Sequence, residues 1–323
     1  MNYRKFGRLD WKASVLGFGC MRLPTIGEDQ PSGLRSWGLQ SPQRPGGNVD
    51  EAEAIRMIRY AIDHGVNYVD TGYTYNASKS EIVVGKALKD GYREKVRLTT
   101  KTATQSINSW QELDRIFNEQ LSKPQTDHFD CYLFGGLRKE EIACWSKVKK
   151  LHLVDWAEKK IAEGKIGHLG FSYHGEFDAF KEIIDGYEGW TLCQMIYNYI
   201  DAELGGRSPG IRGLRYAAQK GLAVSVMEPI QGGSLAVKPP NEIQMLLDEA
   251  KSKRSLADLA LQWVWKQPEV SLALSGMSSM NQVIENLESA SLYGPGVLTE
   301  SELKLISKIR EVYQLHLDQI HKL

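Results

Sequence analysis

No apolar run in this chain approaches the ~20 residues that a membrane-spanning helix needs. The first residues, "MNYRKFGRLD", lack the apolar core of a signal peptide. Net charge is missing as well: 40 Lys and Arg balance 40 Asp and Glu. That balance argues against nucleic acid or an anionic membrane surface as the main partner. Cysteine is scarce, and Cys20, Cys131, Cys144 and Cys193 show no CxxC spacing. They read as reduced, mostly buried residues of a cytoplasmic protein, with no disulfide frame and no metal site. Internal repeats and low-complexity tracts are also lacking. So is a GxGxxG run after the first strand, which an open doubly wound dinucleotide fold would normally carry. Instead "GFGCMRLP" leads into a Pro/Gly-rich loop.

What the 323 residues do hold is a regular alternation of short β-rich runs and longer helical patterns. The spacing predicts strands over 14–19, 67–71, 96–101, 130–134, 168–172, 192–197, 223–227 and 272–276. Between them lie amphipathic stretches. In "DEAEAIRMIRYAIDHG", Ile55, Ile58 and Ile62 recur at helical spacing and Gly65 stops the helix. Another stretch begins at a Ser255 cap and ends before Pro268. Strands that each lead into a helix or long loop fit one α/β domain over 1–323, a (β/α)8 TIM barrel. The early "YRKFGRLDWKAS" reads as an N-terminal β-hairpin plugging the barrel bottom, and the tail as a C-terminal helix. Residues 24–49, rich in Pro, Gly and Ser and holding Trp37, form either a lid over the mouth or an unstructured insertion.

Asp70 and Tyr75 in "NYVDTGYTY" and Lys101 in "VRLTTKT" each fall where a strand runs into a loop. A free tyrosine, with a pKa of about 10, is a poor acid near neutrality. An ammonium beside it stabilises the phenolate, and a carboxylate keeps that ammonium charged and in place. Such a trio can protonate an oxygen while hydride arrives at carbon. An Asp–Lys pair on its own is also a common structural device.

These residues, together with "LGFGCMRLP", "MEPIQGG" and "LSGMSSMNQVIEN", make the chain resemble an aldo-keto reductase over nearly its whole length. The resemblance is closest to a bacterial and archaeal branch that usually ends in a ferredoxin-like cysteine cluster. No such cluster follows here, so an iron–sulfur cofactor is not expected. The resemblance implies NADP(H) or NAD(H) bound in extended form and hydride transfer between a small-molecule carbonyl and an alcohol. It makes Tyr75, Lys101 and Asp70 the catalytic members. Ser172 and Gln194 would hold the nicotinamide carboxamide, with Met227 covering the ring where relatives stack a tyrosine. Pro229, Ile230, Gly232 and Gly233 would form the phosphate loop, since glycines let backbone N–H groups approach phosphate oxygens. Ser279, Gln282, Glu285 and Asn286 would take the adenosine half. Gly19, Cys20 and Met21, Gly276 and Met277, and Asp70 complete the implied cofactor set. Gly276 and Gln282 stand where NADP-preferring relatives place a base, so the choice between NADPH and NADH stays open, as does the oligomeric state.

The fourth catalytic member is missing. The family pattern reads Asp-x-Tyr-Leu-x-His, whereas Asp130, Tyr132, Leu133 and Phe134 are followed here by Gly135. Losing one donor aimed at a developing oxyanion typically costs ~10²–10³ in rate. The glycine is expected to leave a gap the size of a side chain beside Tyr75. Three outcomes are open: a bulkier substrate, a shifted redox reaction such as alkene reduction or sugar oxidation, or a nucleotide-binding sensor with little catalysis. Of two possible stand-ins, His128 precedes the strand and belongs near the barrel bottom, while His174 reads first as a solvated loop residue.

Overall fold

The computed structural model describes residues 1–27, 48–138, 142–204, 207–250, 253–294 and 296–320. The stretch expected to form a lid, Trp37 included, lies almost wholly outside the described residues. The strands are β1 (Tyr3–Lys5), β2 (Lys12–Ser14), β3 (Leu16–Gly19), β4 (Thr25–Ile26), β5 (Asn48–Val49) and β6 (Tyr68–Asp70). They continue with β7 (Arg97–Ala103), β8 (Phe129–Arg138), β9 (Ile166–His174), β10 (Leu192–Ile196), β11 (Ala223–Met227) and β12 (Leu272–Gly276). The helices are α1 (Glu51–Asp63), α2 (Ser80–Ala87), α3 (Trp110–Ser122), α4 (Ile142–Lys150), α5 (Leu153–Ala162) and α6 (Phe177–Asp185). After these come α7 (Asp201–Leu204), α8 (Gly210–Gln219), α9 (Asn241–Ala250), α10 (Leu256–Trp265), α11 (Met280–Leu292) and α12 (Glu300–Ile320).

Strands β3 and β6 to β12 close into a parallel barrel in which each pairs with the next in sequence and β12 returns to β3. This is the (β/α)8 TIM barrel that the alternation predicts. The helices form where local signals ask for them. Asp50 caps α1 by accepting from the Glu53 amide at 3.1 Å, and Ser255 caps α10 through the Asp258 amide at 3.1 Å. Ala54, Met57, Ile58, Ala61 and Ile62 are the buried face of α1, and the chain leaves that helix through Gly65 at φ +96°. No described helix is long and apolar enough to cross a membrane.

The hairpin β1–β2 sits across the N-terminal end of the barrel. Phe6 stacks on Trp11 with ring centroids 4.3 Å apart. It packs among Tyr68, Leu133, Leu192, Ala223 and Leu272, the inward residues of the strands above it. At the other edge α12 buries Leu305, Ile306, Ile309 and Tyr313 against Tyr199, Leu235 and Leu259. The four cysteines are buried thiols in separate places.

Strand β8 departs from the sequence reading. It runs to Arg138, and its register with β9 shifts between Phe134 and Leu137. Phe134 faces Phe171 but Leu137 faces Tyr173, so β8 carries one residue more than β9 over this span. The extra residue is a β-bulge, and Gly136 takes it up at φ +79°. The gap expected at Gly135 is not there. A Cβ on Gly135 would stand 2.4 Å from the Thr102 carbonyl oxygen and 3.2 Å from the Lys101 Cβ. Backbone from the neighbouring strand already fills that space.

Asp130, buried at the start of β8, ties this sector together. It accepts from Arg97 at 2.8 Å and from the Leu98 amide at 2.9 Å, and Arg93 lies 2.9 Å away. Burial alone would raise its carboxyl, but Arg97, Arg93 and the amide together hold it below the ordinary value of 3.8. Such a group stabilises the fold above its unfolded-state pKa, and that stability is lost as pH falls through the lowered folded value. Asp130→Asn is therefore expected to cost roughly 2–3 kcal/mol at pH 7. In urea melts the difference from wild type should shrink below pH 3.8. A second expectation follows from the bulge: Gly135→Ala should lower unfolding free energy by roughly 1–3 kcal/mol. Gly135→His should be no better tolerated, which the same melts would reveal.

Candidate active site

The C-terminal ends of the barrel strands bring three polar side chains into one closed triangle. Asp70 ends β6, Lys101 lies within β7, and Gln194 lies within β10. The Lys101 ammonium donates to Asp70 Oδ1 at 2.9 Å and to Gln194 Oε1 at 2.7 Å. Gln194 Nε2 in turn donates to Asp70 Oδ2 at 3.0 Å. All three are buried, Lys101 with 8% of its surface exposed. Burial on its own would discharge the lysine. The charge of Asp70 and the phenol of Tyr75 outweigh it and raise the Lys101 pKa above its ordinary value. The same burial raises Asp70, against the pull of Lys101 and Gln194. The pair is a retained ammonium facing a carboxylate.

Tyr75 stands over this cation, its ring centroid 5.1 Å from Lys101 Nζ. Gly72 is what lets the two meet. A Cβ there would fall 3.1 Å from the Lys101 Cγ and 3.3 Å from the phenol ring. The backbone that carries Tyr75 is unusual: Asn76, Ala77 and Ser78 all have positive φ, at +50°, +51° and +66°. Left-handed residues of this kind cost roughly 1–2 kcal/mol each. The turn is pinned by Tyr75 N–H to the Gly72 carbonyl at 3.1 Å and Ser80 N–H to the Tyr75 carbonyl at 3.2 Å.

Behind the lysine lies a second polar layer. Glu81, fully buried, accepts from Thr100 at 2.7 Å and from Gln120 at 2.8 Å. Lys123 is 3.4 Å from its other oxygen, and Gln120 also donates to the Lys101 carbonyl at 3.3 Å. This layer fixes the backbone from which Lys101 projects.

The remaining site residues occupy the same rim, with uneven engagement. Cys20 is buried and its thiol is pushed well up, first by desolvation and then by Asp70. Met21 and Met227 are half-buried and Met277 is buried. Ser172 accepts from the Gly136 N–H at 3.2 Å, which couples it to the β8 bulge. After β11, Pro229 is buried and Ile230 half-buried. There Glu228, Gln231, Gly232 and Gly233 all have positive φ, and nothing lies within 4 Å of a Cβ built on Gly233. The Gly233 amide bonds back to the Ile230 carbonyl at 2.9 Å. Beyond β12, Ser279 caps α11 through the Gln282 amide at 3.4 Å, and Gln282 Oε1 turns back to the Ser278 amide at 2.8 Å. Asn286 donates to Ser275 at 2.7 Å, and Glu285 accepts from Ser255. These three polar groups thus have structural partners as well as a place on the rim. Gly19 and Gly276 are register partners, and the stem of Arg22, a residue the sequence reading passed over, crosses Gly276 at 3.1 Å from where a Cβ would be.

Neither histidine enters the triangle. His128, ahead of β8, bonds Asp127 at 2.7 Å and faces Arg93 at 3.1 Å. His174 ends β9 and is half-buried, so it is no open-loop residue.

The chain matches the Aldo/keto reductase family over residues 33–311. Among curated proteins, L-galactose dehydrogenase of Arabidopsis thaliana is 26% identical, over 88% of this chain and 86% of that one. The NADH-specific methylglyoxal reductase of Escherichia coli is 24% identical, over 87% of this chain and 95% of that one. Among solved structures, the holo form of an aldo-keto reductase from Bacillus halodurans superposes with a TM-score of 0.68 at 26% identity, covering 95% of this chain and 96% of that one. With the family spanning most of the sequence and the closed barrel beneath it, the chain belongs to the aldo/keto reductases, NAD(P)-dependent oxidoreductases.

Proposed function

We propose that the protein interconverts a small carbonyl compound and its alcohol, with Tyr75 as the proton donor and acceptor. The observation that carries this reading is the buried, charged Lys101, held by Asp70 and Gln194 against the Tyr75 phenol. When bound, NADPH or NADH would supply the hydride for reduction, and NADP+ or NAD+ would take it in the reverse direction. The chain's own part is to bind, orient and move one proton. Lys101 stabilises the negative charge that develops on Tyr75 Oη as its proton leaves, and Asp70 keeps that ammonium in position.

The rim suits an extended dinucleotide in several respects. Ser172, having accepted from Gly136, keeps its own hydroxyl proton to donate. The turn at Gly232 and Gly233 offers left-handed backbone, and the space at Gly233 is open. Gln194 fits less simply, because both ends of its amide are bonded within the triangle. It would hold the lysine first, with its second N–H and second oxygen lone pair left for a carboxamide. No base stands at 276 or 282, which favours acceptance of NADH alongside NADPH, as the name of the methylglyoxal reductase relative would allow.

Because position 135 is glycine and carries no imidazole, a second reading stands beside the first: saturable nucleotide binding with slow chemistry. The reductase reading expects Tyr75→Phe to lower turnover of methylglyoxal or a related small aldehyde by roughly 10²-fold or more. Its dissociation constant for NADPH, from nicotinamide fluorescence, should stay within threefold of wild type. A Tyr75→Phe enzyme as fast as wild type would reject the tyrosine mechanism. Tight nucleotide binding by a wild type that turns over no aldehyde or alcohol would favour the sensor.

A further inference from the structure

We propose that Asn76 is a positioning residue for Tyr75, the group that locks the left-handed turn from which the phenol projects. The inference rests on the reading of Tyr75 as the proton donor and adds to it the device that aims the donor. Three successive non-glycine residues with positive φ follow Tyr75 directly. Backbone of this kind persists only where its surroundings over-determine it, and such places cluster at active sites. Asparagine tolerates the left-handed region better than most side chains, and here its amide also has a job. Asn76 Nδ2 donates to the Cys20 carbonyl at 2.9 Å, and that carbonyl also accepts from the Ser80 hydroxyl at 2.9 Å. Ser80 is tied in turn to Thr71 at 2.9 Å.

The turn is thereby clamped at one point to the chain just after β3, the strand that pairs with β6 beside Asp70. Asn76 is buried to 3% exposure, and among the described residues its Oδ1 has no hydrogen-bond partner. A buried acceptor left open is a cost, and it is borne one residue from the phenol. An alanine at 76 would lose both the conformational tolerance and the clamp. The Tyr75 ring, packed over Gly72 and the Lys101 stem, would then be free to tilt off the ammonium.

Turnover, nucleotide affinity and epistasis together test this. Asn76→Ala is expected to lower kcat for the best-reduced aldehyde at least tenfold, since small misplacements of a reacting group are costly. NADPH affinity should remain within twofold. Asn76→Gly, which accepts the backbone but not the clamp, should recover part of the loss. In a Tyr75→Phe background, Asn76→Ala should have no further effect, because a positioning residue acts only through the group it positions. Unchanged kcat in Asn76→Ala would overturn the proposal. So would a loss of the same size in the Tyr75→Phe background, or a fall in NADPH affinity that matches the fall in kcat. If Tyr75→Phe itself were fully active, the underlying proton-donor reading would fail instead, and the two failures are thus distinguished.

Discussion

The structure is organised around one buried charge. Lys101 lies inside the upper barrel with almost no access to water, where an isolated ammonium would give up its proton. It keeps the proton because the charge of Asp70 and the phenol of Tyr75 outweigh burial, while Gln194 closes a ring of hydrogen bonds with the pair. Removing any member would strip each of the other two of one partner in a low-dielectric interior. Strands β6, β7 and β10 supply one member each, so closure of the barrel and survival of the charge depend on each other. Glu81, Gln120 and Thr100 extend the same logic one layer back by holding the backbone that carries Lys101.

The second constraint is the bulge in β8. A lost histidine suggests an enlarged pocket, but the glycine pair works differently. On the β9 side the strand carries one additional residue, and on the β7 side the Thr102 carbonyl faces Gly135 too closely for any side chain. The same bulge turns the Gly136 N–H onto Ser172. Main chain therefore fills the space in which the sequence alone suggests a gap.

Much of the architecture was legible because it is written locally. Ile58 and Ile62 with Gly65, the serine cap at 255, and the eight β-rich runs each state their conformation within a few residues. Asp70, Tyr75 and Lys101 were legible as a group because their strands are consecutive, which makes them neighbours in any such barrel. The rest depends on pairing across the sheet. Gly135–Gly136 reads as a missing side chain, and only the register with β9 reveals an extra residue. Gln194 reads as a ligand-binding amide until three strands place it against Lys101 and Asp70. Gln282 reads as part of a binding face although its amide closes the first turn of α11. The sequence "NAS" after Tyr75 contains no glycine to announce a left-handed turn, so that feature was invisible.

The most direct test of the account is a fluorescence titration of the purified protein with NADPH and, in parallel, NADH. A rim that carries a charged Lys101, an open glycine turn and a donating Ser172 predicts saturable binding of at least one dinucleotide, with quenching or energy transfer at the nicotinamide. Failure of both to bind at millimolar concentration would contradict it. The buried lysine would then be a strut of the barrel, and the aldo/keto reductase fold would survive here as a scaffold alone.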